Sequence, residues 1–225
     1  MLYNAHTNMC LQPENGSTTQ GVAIVQEPCN TSAQGTAKAA QEWLWINTGG
    51  GSFHLENALS QLCLDARGGA ANHTPAQQWT CNQISNENWE PVVIANGGGT
   101  RLVSRVSGSS GYCLDIPGGQ QTVGLAMQIY VCNGTVSQAW KTNPDQGLYV
   151  PNVVGLQSYA ATARISLYGL TPLPNNTNNR NLCTAGKDGV VVEQFPGGGS
   201  YQTAKTKICL SICSNGTPGT STECL

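Results

Sequence analysis

Cys63-Leu64-Asp65, Trp79-Thr80-Cys81 and Asn86-Glu87-Asn88-Trp89 form a pattern that the chain carries more than once. A second copy reads Cys113-Leu114-Asp115, Tyr130-Val131-Cys132 and Ser137-Gln138-Ala139-Trp140. A worn copy stands at the front, as Cys10-Leu11-Gln12, Glu27-Pro28-Cys29 and Ala40-Gln41-Glu42-Trp43. In chain order the cysteines of each copy lie 19, 18 and 19 positions apart, and successive copies begin 53 and 50 positions apart. A cysteine pair and a tryptophan are chemically unlike, so marks that keep step three times point to one repeated structural unit.

Residues 1–147 have almost no helical periodicity. Short apolar runs (Val22–Val25, Leu44–Ile46, Val92–Ile94 and Met127–Tyr130) are bounded by Gly, Asn, Pro and Ser. Many short strands with turns between them predict an all-β sandwich or barrel. Glycine triplets at 49–51 and 97–99 follow Trp43 and Trp89 at matching places. Neither is followed by Lys-Ser/Thr and a helix, so they read as hairpin turns, where positive φ is cheap, and not as phosphate cradles. Trp43, Trp89 and Trp140 each end an apolar cluster at a repeat boundary, which predicts core rings burying roughly 150–250 Å² apiece.

Charged residues make up 10% of the 225, and the formal net charge is −2. An average globular domain has roughly 25% charged residues. The surface is therefore polar but largely uncharged, without the basic field that nucleic acid requires. No apolar run is long enough to span a bilayer. Ten cysteines in such a chain point to an oxidising compartment, hence a secreted or extracellular protein. Residues 1–12 lack a signal-peptide pattern, so a leader is expected to have been removed and Met1 to be an added residue. The first six cysteines are expected to pair as Cys10–Cys29, Cys63–Cys81 and Cys113–Cys132. Each pair closes a loop worth on the order of 3 kcal/mol in the chain-entropy model. Cys209 and Cys213 are the only close pair, which is not the spacing of a zinc site, and no metal or cofactor is expected.

Taken together, Cys63-Leu64-Asp65, Cys113-Leu114-Asp115 and the Gln-x-Trp signatures at 41–43 and 138–140 resemble the ricin-type β-trefoil lectins, the family that includes the family-13 carbohydrate-binding modules. The middle copy departs from the signature, with Glu87 in place of Gln. The resemblance covers residues 1–147 and implies twelve strands in three pseudo-symmetric units that bind sugar. A pyranose needs a flat ring over its C–H face and a fixed carboxylate or amide for its hydroxyls. In the family these parts fall to the Asp after Cys-Leu, the aromatic two before the second Cys, and the Asn before Gln-x-Trp. The middle copy supplies Asp65, Trp79 and Asn86. The third supplies Asp115, Tyr130 and Gln138, with Ser137 where the Asn would stand. The first has Gln12, Glu27 and Ala40 and is expected not to bind. Galactose- or xylose-type units of a polysaccharide or cell-surface glycan are the expected partner. Against this stands a plain structural reading, in which each Asp accepts turn N–H groups and each aromatic is core.

Residues 148–225 differ. Asn143-Pro144-Asp145-Gln146-Gly147 is turn-rich and suits a domain boundary. A helix is expected across Ala160–Leu167, stopped by Gly169, with strands at 189–194 and 207–212. Val150-Pro151-Asn152-Val153-Val154-Gly155-Leu156 together with Val191, Gln194, Pro196 and Gly199 resembles a PASTA domain. That likeness implies a small α+β module of the kind attached to bacterial cell-wall proteins. The Asn-rich stretch 175–181 and Cys183, Cys209, Cys213 and Cys224 depart from it. Those cysteines are expected to staple a small core, in any of three pairings.

Catalysis is not expected. Asp65 and Asp115 fall in different repeats, which threefold symmetry holds too far apart for a glycosidase pair. His6, His54 and His73 have no metal spacing, and Gly-x-Ser-x-Gly is absent. Two other functions fit the same residues: the targeting part of a larger glycoside hydrolase, or a trefoil inhibitor that binds protein.

Overall fold

A computed structural model describes residues 1–30, 35–95, 98–108, 111–142, 148–167, 170–177, 183, 187–198, 201–202 and 206–214. The chain forms two compact units, Met1–Asp145 and Gln146–Leu225.

The first unit is one sheet of twelve short strands. The first repeat contributes β1 (Leu2–Asn4), β2 (Met9–Pro13), β3 (Ile24–Pro28) and β4 (Trp43–Gly49). The second has β5 (Ser52–Asn57), β6 (Cys63–Ala66), β7 (Thr74–Trp79) and β8 (Trp89–Ile94). The third has β9 (Gly99–Ser104), β10 (Tyr112–Asp115), β11 (Gln128–Val131) and β12 (Trp140–Thr142). Strand β12 returns to pair with β1, Leu2 opposite Thr142, so the first and last strands of the unit are neighbours. Gly99 has φ +97, and a Cβ there would clash with the Trp140 carbonyl oxygen, so the β9–β12 approach requires glycine.

The repeat marks explain the core. Cys10–Cys29, Cys63–Cys81 and Cys113–Cys132 are bonded. The three leucines after the first cysteines (Leu11, Leu64, Leu114) are sealed in one cluster with Trp43, Trp89 and Trp140. Each indole N–H donates to one of those leucine carbonyls: Trp43 to Leu11 at 3.0 Å, Trp89 to Leu64 at 2.9 Å and Trp140 to Leu114 at 3.0 Å. Buried indoles need such a partner, and here each tryptophan ties its repeat's last strand to its own cysteine strand. Glutamine amides join the repeats: Gln78 Nε2 donates to the Ser17 and Thr19 carbonyls, and Gln26 Nε2 to those of Gln120 and Thr122. The turn 49–51 has positive φ at all three glycines. Of the matching triplet, residue 97 lies outside the described residues.

In the second unit a short pair, β13 (Leu148–Tyr149) with β16 (Tyr201–Gln202), accompanies a three-stranded sheet. In that sheet β17 (Lys207–Cys213) lies between parallel β14 (Thr171–Thr177) and antiparallel β15 (Val191–Phe195). One helix, Ser158–Leu167, packs on β14 and turns Ala161 and Ile165, one turn apart, into a core with Val150, Val153, Val191, Ile208 and Leu210. Gln194 has a structural use: its Oε1 accepts from the Val153 N–H at 2.7 Å and its Nε2 donates to the Pro151 carbonyl at 3.0 Å. Cys183 is bonded to Cys213, and Cys209 is also oxidised. Asn143–Gly147, Gly169, Gly199, Cys224 and the end of the Asn-rich stretch (178–181) lie outside the described residues. No helix among the described residues is long and apolar enough to cross a membrane.

Candidate functional site

Each cysteine strand pairs with the strand that follows it in register, which sets the geometry of the candidate clefts. Asp65 stands opposite Gln77 and Cys63 opposite Trp79. Residues two apart share a face, so the carboxylate, the amide and the indole all project from the same side of the β6–β7 ladder. Gln77 Nε2 donates to Asp65 Oδ1 at 2.7 Å, and Asp65 is only 3% exposed. Burial raises the Asp65 carboxyl above its ordinary range, and the Gln77 bond opposes the rise. Trp79 is half-buried. Its six-membered ring lies against Gly21, whose φ of +80 and missing side chain let the neighbouring loop pass beneath the indole. Asn86 is half-buried on the 3₁₀ turn Ser85–Glu87, which packs against β6.

The third repeat reproduces the arrangement. Asp115 faces Gln128 and Cys113 faces Tyr130, and Gln128 Nε2 donates to Asp115 Oδ1 at 2.8 Å. Asp115, Gln128, Tyr130, His73, Asn133 and Ser137 line a cleft of about 370 Å³. His73 belongs to the middle repeat; its ring meets Tyr130 edge-on, centroids 5.1 Å apart, and its Nδ1 lies 3.0 Å from Gln128 Oε1. Gln138 sits behind the cleft, fully buried. Its Nε2 donates to Asp115 Oδ2 at 3.2 Å and to the Val131 carbonyl at 2.9 Å, while its Oε1 accepts from the Asn133 N–H at 3.0 Å. It therefore reaches the cleft only through the carboxylate it holds. Burial raises the Asp115 carboxyl, and the Gln128 and Gln138 bonds oppose that, with a smaller contribution from His73.

The first repeat keeps the frame and loses the groups. Gln12 faces Val25, and Glu27 takes the place of the aromatic opposite Cys10. A cleft of about 400 Å³ survives there, lined by Gln12, Asn15, Glu27, Asn30, Thr36 and Gln41 among others. Its volume matches that of the third cleft, so space alone does not separate the repeats; chemistry does. One cluster among the described residues has metal-ligand atoms close together, namely His54, Cys63 and Glu87. Cys63 has its sulfur in a disulfide, so it offers no thiolate to an ion.

Gln77, Gln128 and His73 are absent from the sequence-derived set. A signal existed for the glutamines: each stands two positions before its aromatic, as Gln77-x-Trp79 and Gln128-x-Tyr130. His73 reaches the third cleft across a repeat boundary, which no local pattern reveals.

A family model described as ricin-type beta-trefoil lectin domain-like matches residues 1–79 and 39–110. Comparison with curated protein sequences finds no match. A designed threefold-symmetric protein superposes with a TM-score of 0.56 at 24% identity, over 62% of this chain and 94% of its own. An exo-beta-1,3-galactanase from Clostridium thermocellum gives 0.55 at 26% identity, over 62% of this chain but only 28% of the enzyme. The ricin B-like lectin of Macrolepiota procera, solved in complex with lactose, gives 0.50 at 20% identity, over 62% of this chain and 90% of the lectin. With twelve strands in three like units built on the repeated cysteine and tryptophan frame, Met1–Asp145 has a β-trefoil fold, and the match to the ricin-type beta-trefoil lectin domain-like model falls within it, over residues 1–110.

Proposed function

We propose that this chain is a secreted carbohydrate-binding protein that grips galactose- or xylose-type units of a polysaccharide or cell-surface glycan, in the manner of a family-13 module. Asp65, Trp79 and Asn86 form the middle site, and Asp115 and Tyr130, with Gln138 behind them, form the third. One observation carries the reading. In two repeats a buried Asp–Gln pair shares a strand face with a half-buried aromatic, and in the first repeat all three groups are replaced together. A purely structural role would have kept the trio wherever the frame was kept, and the first repeat keeps its disulfide, its tryptophan bond and its cleft.

A carboxylate oxygen can accept more than one hydrogen bond, so Asp65, held by Gln77, and Asp115, held by Gln128 and Gln138, each keep acceptor capacity for sugar hydroxyls, and the ring beside each covers the C–H face. Ordering costs and competition from water keep single-site affinity for a sugar weak, and two sites on one body gain by avidity on a repeating glycan. The second unit, with its helix on a three-stranded sheet, is read as a PASTA-like module directed at the cell wall. A second reading has specific support: the galactanase likeness occupies 28% of that enzyme, as a targeting module within a larger hydrolase would.

A glycan array of the full chain beside its Asp65→Ala variant tests the proposal. Binding to galactose- or xylose-containing glycans that weakens sharply in the variant, with thermal unfolding unchanged in cooperativity, supports it. Undiminished binding by the variant refutes the middle site.

A further inference from the structure

Gln41 and Gln138 occupy the same place in the first and third repeats and make the same three hydrogen bonds. Gln41 Nε2 donates to Gln12 Oε1 at 2.9 Å and to the Pro28 carbonyl at 3.0 Å, and its Oε1 accepts from the Asn30 N–H at 2.7 Å. The middle repeat has Glu87 at this place, and it behaves differently. Glu87 Oε2 accepts from the Asn82 and Gln83 N–H groups, both at 3.0 Å, and the residue gives nothing to Asp65. Asp65 is left with Gln77 as its one hydrogen-bond partner among the described residues, and its Oδ2 is not tied as Asp115 Oδ2 is.

Glu87 is fully buried, and its neighbourhood is a cluster of titratable groups. The Ser85–Glu87 turn packs on β6, and the charge of Asp65 on that strand acts on Glu87. From β5 comes His54, whose Nε2 lies 3.9 Å from Glu87 Oε2 and is buried without a hydrogen bond, and, two residues on, the buried Glu56. Arg105, beside the 3₁₀ turn Val106–Gly108 that packs on the Glu87 turn, is engaged with Glu90.

We propose that Glu87 makes the middle cleft a proton-sensitive sugar site, while Gln138 spares the third cleft this carboxyl-linked loss on acidification; the inference rests on the reading that both clefts take sugar. Two carboxyls that sense each other's charge take up their first proton jointly and more readily than either would alone. Burial raises Glu87, the Asn82 and Gln83 N–H groups oppose the rise, and the Asp65 charge adds a smaller rise of its own. Burial of the His54 ring disfavours its charged form, with an Asn88 contact opposing, so the imidazole is a poor counter-ion at neutral pH. A neutral sugar offers hydroxyl donors to Asp65, and these favour the pair without its proton, whichever carboxyl that proton would occupy. Sugar and proton therefore compete, and the middle site weakens on acidification. The two amides that hold Asp115 do not titrate, and they donate to its ionised form. His73, across that cleft, also acts to lower the Asp115 carboxyl, a smaller effect in the same direction.

The test uses the full chain with one cleft disabled at a time: Asp115→Asn leaves the middle site and Asp65→Asn leaves the third. Binding of lactose or of xylobiose, whichever the parent takes, is measured by calorimetry from pH 7.5 to 4.5. The expected result for Asp115→Asn is a roughly tenfold loss of affinity across this range, the size of one charge-assisted hydrogen bond. Adding Glu87→Gln should flatten the profile, and adding Gln138→Glu to Asp65→Asn should transfer the loss to the third site. Glutamine is what the other two repeats hold at this position, so the variant has a ready set of partners. A flat profile in Asp115→Asn, or a loss that survives Glu87→Gln, overturns the inference while leaving the sugar sites standing. If Asp115→Asn binds neither sugar, the middle-site reading fails and takes this inference with it. A ligand-free readout stands beside these: by carboxyl NMR, Asp65 should titrate at lower pH in Glu87→Gln than in the parent, and an unmoved Asp65 contradicts the coupling.

Discussion

Asp65 and Gln77 face each other across the β6–β7 ladder and are joined by a 2.7 Å hydrogen bond, with the carboxylate almost sealed from water. That is a costly place for a charge. Because burial raises the Asp65 carboxyl, the fold favours its protonated form. Its contribution to stability is fully present below the ordinary carboxylate range and is lost as pH rises through the raised value. Asp65→Asn keeps an acceptor for Gln77 and removes the charge. Thermal denaturation at pH 7 should place its midpoint a few degrees above the parent's, with the gap closing as pH falls toward 3, even as sugar binding at the middle site is lost. A variant less stable than the parent at pH 7 would show that the buried charge stabilises the fold, the opposite of this expectation.

Gln41 and Gln138 make matching bonds in a repeat without the sugar groups and in one with them. Each is a buried amide whose removal strands its partners, so Gln41→Ala and Gln138→Ala should each cost about 1–3 kcal/mol in chemical denaturation. Only Gln138→Ala should also weaken glycan binding, because only it loosens a carboxylate that meets ligand. Equal binding losses in both would mean that the effect is one of stability.

Gly21 lies under the Trp79 ring in a left-handed conformation. Gly21→Ala meets both obstacles, with an expected cost of about 1–2 kcal/mol and displacement of the indole. Indole fluorescence should shift and the middle site should weaken, while a variant that retains only the middle site loses most of its binding. An unchanged emission spectrum would show that the ring does not rest where the structure puts it.

Trp140 donates its indole N–H to the Leu114 carbonyl from a fully buried position. Trp140→Phe removes the donor and leaves that carbonyl unpaired, an expected loss of about 1–3 kcal/mol. Sugar binding by the middle repeat should persist at temperatures where the variant remains folded.

The strand frame was legible because cysteine, leucine and tryptophan recur at a spacing that only a repeated unit produces, and the structure puts each to one use: bond, core, and indole donor. The Asp and aromatic positions were legible for the same reason, since ladder register places residues two apart on one face. Gln77 and Gln128 escaped notice because a glutamine in a strand looks like an ordinary solvent-facing side chain until its register partner is known to be an aspartate. His73 and Gly21 reach their neighbours' clefts from adjoining repeats, and long-range packing of that kind leaves no local trace. The difference between Glu87 and Gln138 was visible as a letter, but its consequence needed the geometry: one side chain turns to the carboxylate and the other turns to backbone amides.

The most direct measurement is a ¹H–¹⁵N NMR titration of the full chain with lactose and with xylobiose. The expected result is movement of the Trp79 indole and the Asn86 side-chain amide, together with the Gln77 and Gln128 amides, while the indoles of Trp43, Trp89 and Trp140 stay still. Saturable binding that leaves those four groups unmoved, or that moves residues of the first cleft between Gln12 and Gln41, would contradict the assignment of the sugar sites.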